Sequence, residues 1–359
     1  MPEVESARRD RLREVMRGLE LDAALVTDIV NVRYLTGFTG SNGALLVHSA
    51  AGAAFATDGR YSDQAAVQCP DLETTTTRAL TADLLSAAGE IGRLGVETHS
   101  LTVDAHAAVA GQVAETTTLK SLGRAVERLR VVKDDVEIAA LAKACAISTE
   151  ALEQLLGGPL EGRSEREVAR DLEWRMFALG AEAIAFETIV ASGPNSAVPH
   201  HSPTDRMLAR GDLLKIDFGA RVDGYHADCT RTSVLGPPTD WQREIHQAVR
   251  DAQQAGVDAM VAGAAVVTPD AVARKVLDDA GWLERFTTGI GHGVGLQIHE
   301  DPFVGPRNPG RLLDRTPVTM EPGVYLPGRG GVRIEDTVVV GTSAPLVLTD
   351  APRDLLVVG

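Results

Sequence analysis

Residues 217–232, DFGARVDGYHADCTRT, constrain this chain more than any other stretch. In the run LLKIDFGARV that leads into it, Leu214, Ile216 and Phe218 fall on one face, and Lys215 and Asp217 on the other. That period predicts a strand with one buried face. Asp223-Gly224 reads as a hairpin turn, because both central residues of a type I′ turn need positive φ. With these two as the turn, position 217 pairs with 230, and Asp228 is a diagonal neighbour on the same face. With the turn one residue earlier, 217 pairs with 228 directly. Either register sets Asp217 and Asp228 side by side. Like charges at cross-strand distance destabilise a hairpin, so a cation between them is expected.

A chain of 359 residues is long for one core and suits two domains. Its 44% hydrophobic and 24% charged residues are ordinary for a soluble globular protein. The formal charge of −15 argues against non-specific binding to nucleic acid or to anionic membrane. Cys69, Cys145 and Cys229 are scattered, with no CxxC, which disfavours a disulfide framework or a thiolate zinc site. The charged, helix-patterned N-terminus MPEVESARRDRLREVMRGLE does not read as a signal peptide. With no apolar run long enough to span a bilayer, cytoplasmic placement is the expectation.

The first third alternates helix-like and strand-like segments: a helix at about 5–19, then LDAALVTD, GALLVHS and AAFATD, and later RLGVET. This predicts an α/β domain over residues 1–127 without clustered catalytic chemistry. From Arg128 the texture changes, and residues 128–359 form the second expected domain. Asp134 with Glu137, and Ser164 with Glu167, are capping-box pairs that open two helices. The chain is then strand-rich, with two further helices near 240–262 and 269–281.

Three other segments of this second domain carry candidate ligands. GIGHGVGLQIHE holds His292 among glycines, with His299 beyond them. TMEPGVYLPGRGGVRIED sets Glu321 and Glu335 on either side of a Pro/Gly-rich turn, repeating the acid–turn–acid order of the first hairpin. SGPNSAVPHHSP holds His200 and His201 in a loop punctuated by prolines. Each piece alone has a plain reading: a solvated turn, a loop histidine, a Glu-Pro-Gly bend. GIGHGVG resembles a phosphate loop only superficially, since the trailing Lys-Ser/Thr is missing. What chance does not readily give is all of them together, in one domain. Two aspartates, two glutamates and a histidine suit Mn²⁺, Co²⁺, Fe²⁺ or Zn²⁺. They overfill a single zinc site and suit two metals sharing bridging carboxylates.

These segments resemble the pita-bread metallopeptidases, the family of Xaa-Pro dipeptidase (prolidase), aminopeptidase P and methionine aminopeptidase. NVRYLTGFTGSNGALLV and DGRY are similar to the creatinase/prolidase-type N-terminal domain, which methionine aminopeptidases lack. The resemblance covers almost the whole chain and implies an α/β N-terminal domain followed by an α+β pita-bread catalytic domain. By position, Asp217 matches a ligand of one metal, and Asp228 and Glu335 match bridging ligands. His292 and Glu321 match ligands of the second metal. All five are intact, whereas relatives that lost them act as creatinases or histone-binding modules. His200 and His299 match two non-ligand histidines near the scissile carbonyl and the proline. Arg333 matches an arginine behind the ligands in the Xaa-Pro branch.

The resemblance implies hydrolysis of the bond preceding proline with two divalent ions, Mn²⁺ foremost and Co²⁺ or Zn²⁺ as alternatives. Glu321 is the expected proton shuttle, and His200 and His299 the expected stabilisers of the oxyanion. Substrates are proline-containing di- or oligopeptides, with Xaa-Pro dipeptides favoured over the longer peptides of an aminopeptidase P. A non-catalytic binding module is the remaining alternative. A homodimer is also implied. Two departures stand out. His201 replaces the usual glycine after His200. Phe303 stands where some prolidases carry an arginine for the substrate carboxylate. His201, Arg307, Arg329, Arg33 and Arg60 are the candidate replacements for that arginine.

Overall fold

The computed structural model describes residues 2–359. The chain divides into two units, Met1–Arg130 and Val131–Gly359. The expected boundary at 127/128 falls inside the helix Ala125–Arg130 that ends the first.

In the first unit the strands are β1 (Ala23–Val26), β2 (Gly43–His48), β3 (Ala53–Thr57), β4 (Glu73–Thr76), β5 (Arg93–Val96) and β6 (Thr118–Ser121). They form one mixed sheet in the order β4-β3-β2-β1-β5-β6. The helices are α1 (Pro2–Gly18), α2 (Ile29–Thr36), α3 (Ser62–Gln68), α4 (Leu80–Ala87), α5 (Val103–Gln112) and α6 (Ala125–Arg130). Asp28 caps α2 by accepting from the amides of Val30 and Asn31. Leu25, Leu46, Leu94 and Val96 of the sheet pack with Leu84 and Leu85 of α4 and Val109 of α5. This is the α/β arrangement that the alternating pattern predicts.

The second unit opens with α7 (Asp135–Leu156) and α8 (Glu165–Ala178), each started by the expected capping box. The strands β7 (Ala183–Ile184), β8 (Ile189–Ser192), β9 (Leu213–Phe218), β10 (Ala220–Val222), β11 (Tyr225–His226) and β12 (Cys229–Leu235) follow. Then come α9 (Asp240–Asp258) and α10 (Val267–Asp279). The remaining strands are β13 (Gly291–Gly293), β14 (Glu300–Val304), β15 (Pro317–Met320), β16 (Gly323–Leu326), β17 (Gly330–Arg333), β18 (Asp336–Val339), β19 (Leu346–Val347) and β20 (Val357–Val358). Two main sheets result, β20-β12-β9-β8 and β14-β13-β15-β18-β19.

The hairpin takes the first of its two possible registers. Val222 pairs with Tyr225 across Asp223 and Gly224, whose φ values are 50° and 82°. The same register runs down to Asp217 opposite Thr230. One expectation is corrected: β9 has no solvated face, since all six of its residues are buried. Leu214, Ile216 and Phe218 join a core with α7 and α8. Leu213 on the opposite face joins a second core with α9 and α10. The alternation therefore records two buried faces of different chemistry, and the polar one belongs to the site.

His246 on α9 is buried, and burial, helped by Arg250, pushes it down to about 4. With the folded-state value below the usual 6.5, this contribution to stability is complete above pH 6.5. It is lost as pH falls from there through 4. The stability difference between wild type and His246→Gln is expected to shift by about 2–3 kcal/mol between pH 7 and pH 4, against wild type. Denaturant midpoints of the two proteins across that range measure it.

Candidate active site

Each of the five candidate ligands sits on a strand or immediately beside one. Asp217 lies in β9, Asp228 just before β12, His292 in β13, Glu321 just after β15 and Glu335 between β17 and β18. The hairpin register makes Asp228 the diagonal neighbour of Asp217. Thr230, directly opposite Asp217, brings in the next acid. Its carbonyl accepts from the Glu335 amide at 3.0 Å, and its hydroxyl donates to Glu335 Oε2 at 2.6 Å.

His292 is placed by the glycines around it. A Cβ at Gly291 would meet the Thr319 carbonyl oxygen at 2.0 Å, and one at Gly293 would meet that of Asp301 at 2.3 Å. Only residues without a Cβ let the neighbouring backbones close on this strand. The ring's Nδ1 donates to the Gly293 carbonyl at 3.0 Å, which leaves the Nε2 lone pair facing inward. Nε2 lies 3.4 Å from Asp228 Oδ2 and 3.6 Å from Glu321 Oε1. Burial holds His292 down near 4, so a neutral lone pair faces two carboxylates.

The electrostatics of this cluster call for added positive charge. Burial, reinforced by Glu335, Asp217 and Glu321, drives Asp228 well above the ordinary carboxylate range. Burial, with Glu321 and Asp217, does the same to Glu335. Burial pushes Glu321 up to about 7 against the opposing pull of Arg333. Asp217 Oδ1 is buried without a hydrogen-bond partner. Donor atoms of Asp228, His292 and Glu335 all lie within 4.8 Å of one another. An inward imidazole lone pair, an orphaned carboxylate oxygen and crowded acids make a donor set that fits divalent cations.

The cluster floors a cleft of about 300 Å³ in the second unit, rimmed by Phe186, His200, Ile298 and His299. His200 and His299 are thus brought to the cluster, and the His299 ring stands edge-on to His292 with centroids 4.4 Å apart. Burial also lowers His299. Arg333 lies behind the cleft wall. Its guanidinium binds Asp217 Oδ2 and donates to Thr230 Oγ1 at 3.0 Å, Tyr325 Oη at 3.0 Å and the Pro199 carbonyl at 3.2 Å.

The candidates for holding a substrate carboxylate fare differently. His201 lines the cleft, but its Nε2 is engaged with Glu165 Oε2 at 2.8 Å. Arg329 lies over the Trp241 ring at 4.2 Å, and Arg307 is exposed outside the lining. Arg33 and Arg60 belong to the first unit, where Arg60 grips Asp58.

Several residues escaped the sequence reading. Buried Lys215 donates to the carbonyls of Val198 at 2.6 Å and Pro199 at 3.1 Å, and its place on the Asp217 face of β9 was a usable signal. Lys133 pairs with Glu300 at 2.5 Å, so the acid of the His-Glu dipeptide is a buried tie. Glu165 looked like an ordinary first-turn acid of α8, and nothing in its spacing marked it out.

Comparison with known proteins finds family matches for both units. The model for metallopeptidase family M24 matches residues 139–342, and that for the creatinase/prolidase N-terminal domain matches residues 8–132. An Xaa-Pro dipeptidase of Pyrococcus furiosus is 41% identical over 237 residues, 66% of this chain and 68% of that protein. The structure of an Xaa-Pro dipeptidase from Bacillus anthracis superposes with a TM-score of 0.94 at 36% identity, covering 99% of this chain and 100% of that one. An X-Pro aminopeptidase from Thermotoga maritima gives 0.89 at 33% identity, covering 98% and 99%. A creatinase-type domain joined to a catalytic domain with this site defines a metallopeptidase. The chain belongs to metallopeptidase family M24, in its prolidase and aminopeptidase P branch.

Arg333→Met leaves Asp217 buried without its countercharge. The metal-free variant is expected to lose about 3–5 kcal/mol of stability in denaturant unfolding, with Arg333→Lys recovering part of it.

Proposed function

We propose that the protein hydrolyses the peptide bond preceding proline, acting as an Xaa-Pro dipeptidase. The observation that carries this reading is the meeting of Asp217, Asp228, His292, Glu321 and Glu335 on one cleft floor, with His200 and His299 on its rim. The dipeptide preference draws on similarity to Xaa-Pro dipeptidases at 36–41% identity.

The five floor residues would hold two divalent ions, Mn²⁺ foremost. Those ions would polarise the scissile carbonyl and acidify the attacking water. The remaining work falls to the chain. A bond to proline has no amide hydrogen, so recognition has to come from the carbonyl side. His200 and His299 donate N–H groups toward the oxygen that gains charge, an effect worth about 3 kcal/mol per donor in comparable sites. Burial lowers His299 and so favours its neutral form, which still carries one N–H to donate. Glu321 has the most exposed side chain, 19% against 7–10% for Asp217, Asp228 and His292. It takes the proton of the attacking water and passes it to the proline nitrogen as the C–N bond breaks. The products are the carboxylate of the first residue and free proline. Arg333 and Thr230 act by positioning Asp217 and Glu335.

A second reading, aminopeptidase activity on longer peptides, has its own observation. No Lys or Arg is among the described residues lining the cleft, and Phe303, the residue standing where some prolidases carry an arginine, is not among them either. Hydrolysis of Ala-Pro and Ala-Pro-Ala by the Mn²⁺-loaded protein, side by side, separates the two. Cleavage of Ala-Pro is expected, and faster cleavage of the tripeptide would shift the assignment to an aminopeptidase. Cytoplasmic placement and a homodimer complete the reading. No helix of the described residues is long and apolar enough to cross a membrane. A light-scattering mass of one chain would exclude the dimer.

Exhaustive chelation is expected to abolish activity and Mn²⁺ to restore it. Asp228→Asn is expected to bind less metal and to lose at least about 10³-fold in kcat/KM. Undiminished hydrolysis by either preparation would overturn the metal assignment.

A further inference from the structure

The loop 192–206, which carries His200, is tied to the fold around one buried carboxylate. Glu165, at the first turn of α8, has a side chain with no solvent exposure. Its Oε1 accepts from the Ser192 amide at 2.7 Å, the Ser192 hydroxyl at 2.8 Å and the Asn195 side-chain amide at 3.0 Å. Its Oε2 accepts from the Thr204 amide at 3.0 Å and the Thr204 hydroxyl at 2.6 Å, and meets His201 Nε2 at 2.8 Å. These partners lie on both sides of His200. From the other side Lys215 and Arg333 hold the carbonyls of Val198 and Pro199. His200 thus sits at the middle of a segment gripped at its ends and along its back.

Burial alone would raise the Glu165 carboxyl, but the hydrogen bonds from Thr204, His201, Asn195 and Ser192 outweigh it and hold it at about 2. An ionised carboxylate accepts only, so His201 Nε2 carries the proton in this contact. An amide at position 165 would turn one of its two ends into a donor facing donors.

We infer that Glu165 and His201 form a latch that positions His200 in the cleft, making Glu165 a positioning residue for the hydrolysis. This rests on the peptidase reading above. It also accounts for His201 in place of the family's usual glycine: the side chain serves the loop and is unavailable to the substrate carboxylate.

The test uses the full-length protein and the variants Glu165→Gln, His201→Gln and His201→Ala. With Mn²⁺ loaded and Ala-Pro as substrate, Glu165→Gln is expected to lower kcat about 10–100-fold, with KM changed less than about threefold. Bound metal should match wild type. Hydrogen exchange of the metal-free protein should rise in residues 192–204 and stay unchanged in β9. His201→Gln keeps an N–H for Glu165 and should retain kcat within about threefold and the wild-type pH profile, whereas His201→Ala should not. Wild-type kcat in Glu165→Gln, a loss of kcat that follows lost metal, or exchange rising throughout the second unit would each overturn the latch. If Glu165→Gln does not fold, equal kcat in the two His201 variants overturns it instead. A wild-type protein inactive on every Xaa-Pro peptide would defeat the peptidase reading alone, because the exchange measurement needs no turnover.

Discussion

Asp217, Asp228 and Glu335 are buried and crowd against the partly exposed Glu321, with one guanidinium, that of Arg333, paired among them. In a low-dielectric interior such a group cannot carry all its charges uncompensated. Much of the second unit is arranged around that conflict. Arg333 neutralises part of it, Thr230 spends a hydroxyl and a carbonyl on Glu335, and His292 turns a lone pair rather than a proton inward. A divalent cation held there, as the proposed function requires, would resolve the remainder. The same feature that would destabilise the fold without metal would then make the cleft a metal site.

Rigidity follows from where these groups sit. The acids are fixed by strand register, since a slip of one residue would turn Asp217 into the apolar core that holds Ile216 and Phe218. The glycines beside His292 permit backbone approaches that any side chain would block. The rim is held differently. His200 lies in a loop, and loops acquire precision only from side chains that tie them down. Glu165, Lys215 and Arg333 supply those ties.

How far the sequence could be read depended on how local each signal was. The hairpin and the side-by-side placement of Asp217 and Asp228 followed from Asp223-Gly224 and period-two alternation, both short-range effects, while the choice between its two registers came from the structure. The caps at Asp134 and Ser164 were legible for the same reason. The burial of both faces of β9 was not, because alternation distinguishes two faces without saying whether water or a second core covers the polar one. Glu165 was illegible outright. Its six hydrogen bonds come from four residues between 192 and 204, far from it in sequence, and a first-turn glutamate is unremarkable on most helices.

The sequence by itself determined the two hairpins, the helix starts, the donor set of carboxylates and imidazole, and through family motifs the class of chemistry. These rest on turn conformations, side-chain periodicity and the ionisable groups themselves, all written within a few residues of one another. Only the tertiary structure decided which carboxylate stays orphaned, which nitrogen of His292 faces the cluster, and that His201 is spent on Glu165 rather than on substrate. Those outcomes depend on burial and on long-range hydrogen-bond partners, which exist only once distant strands and loops have packed together.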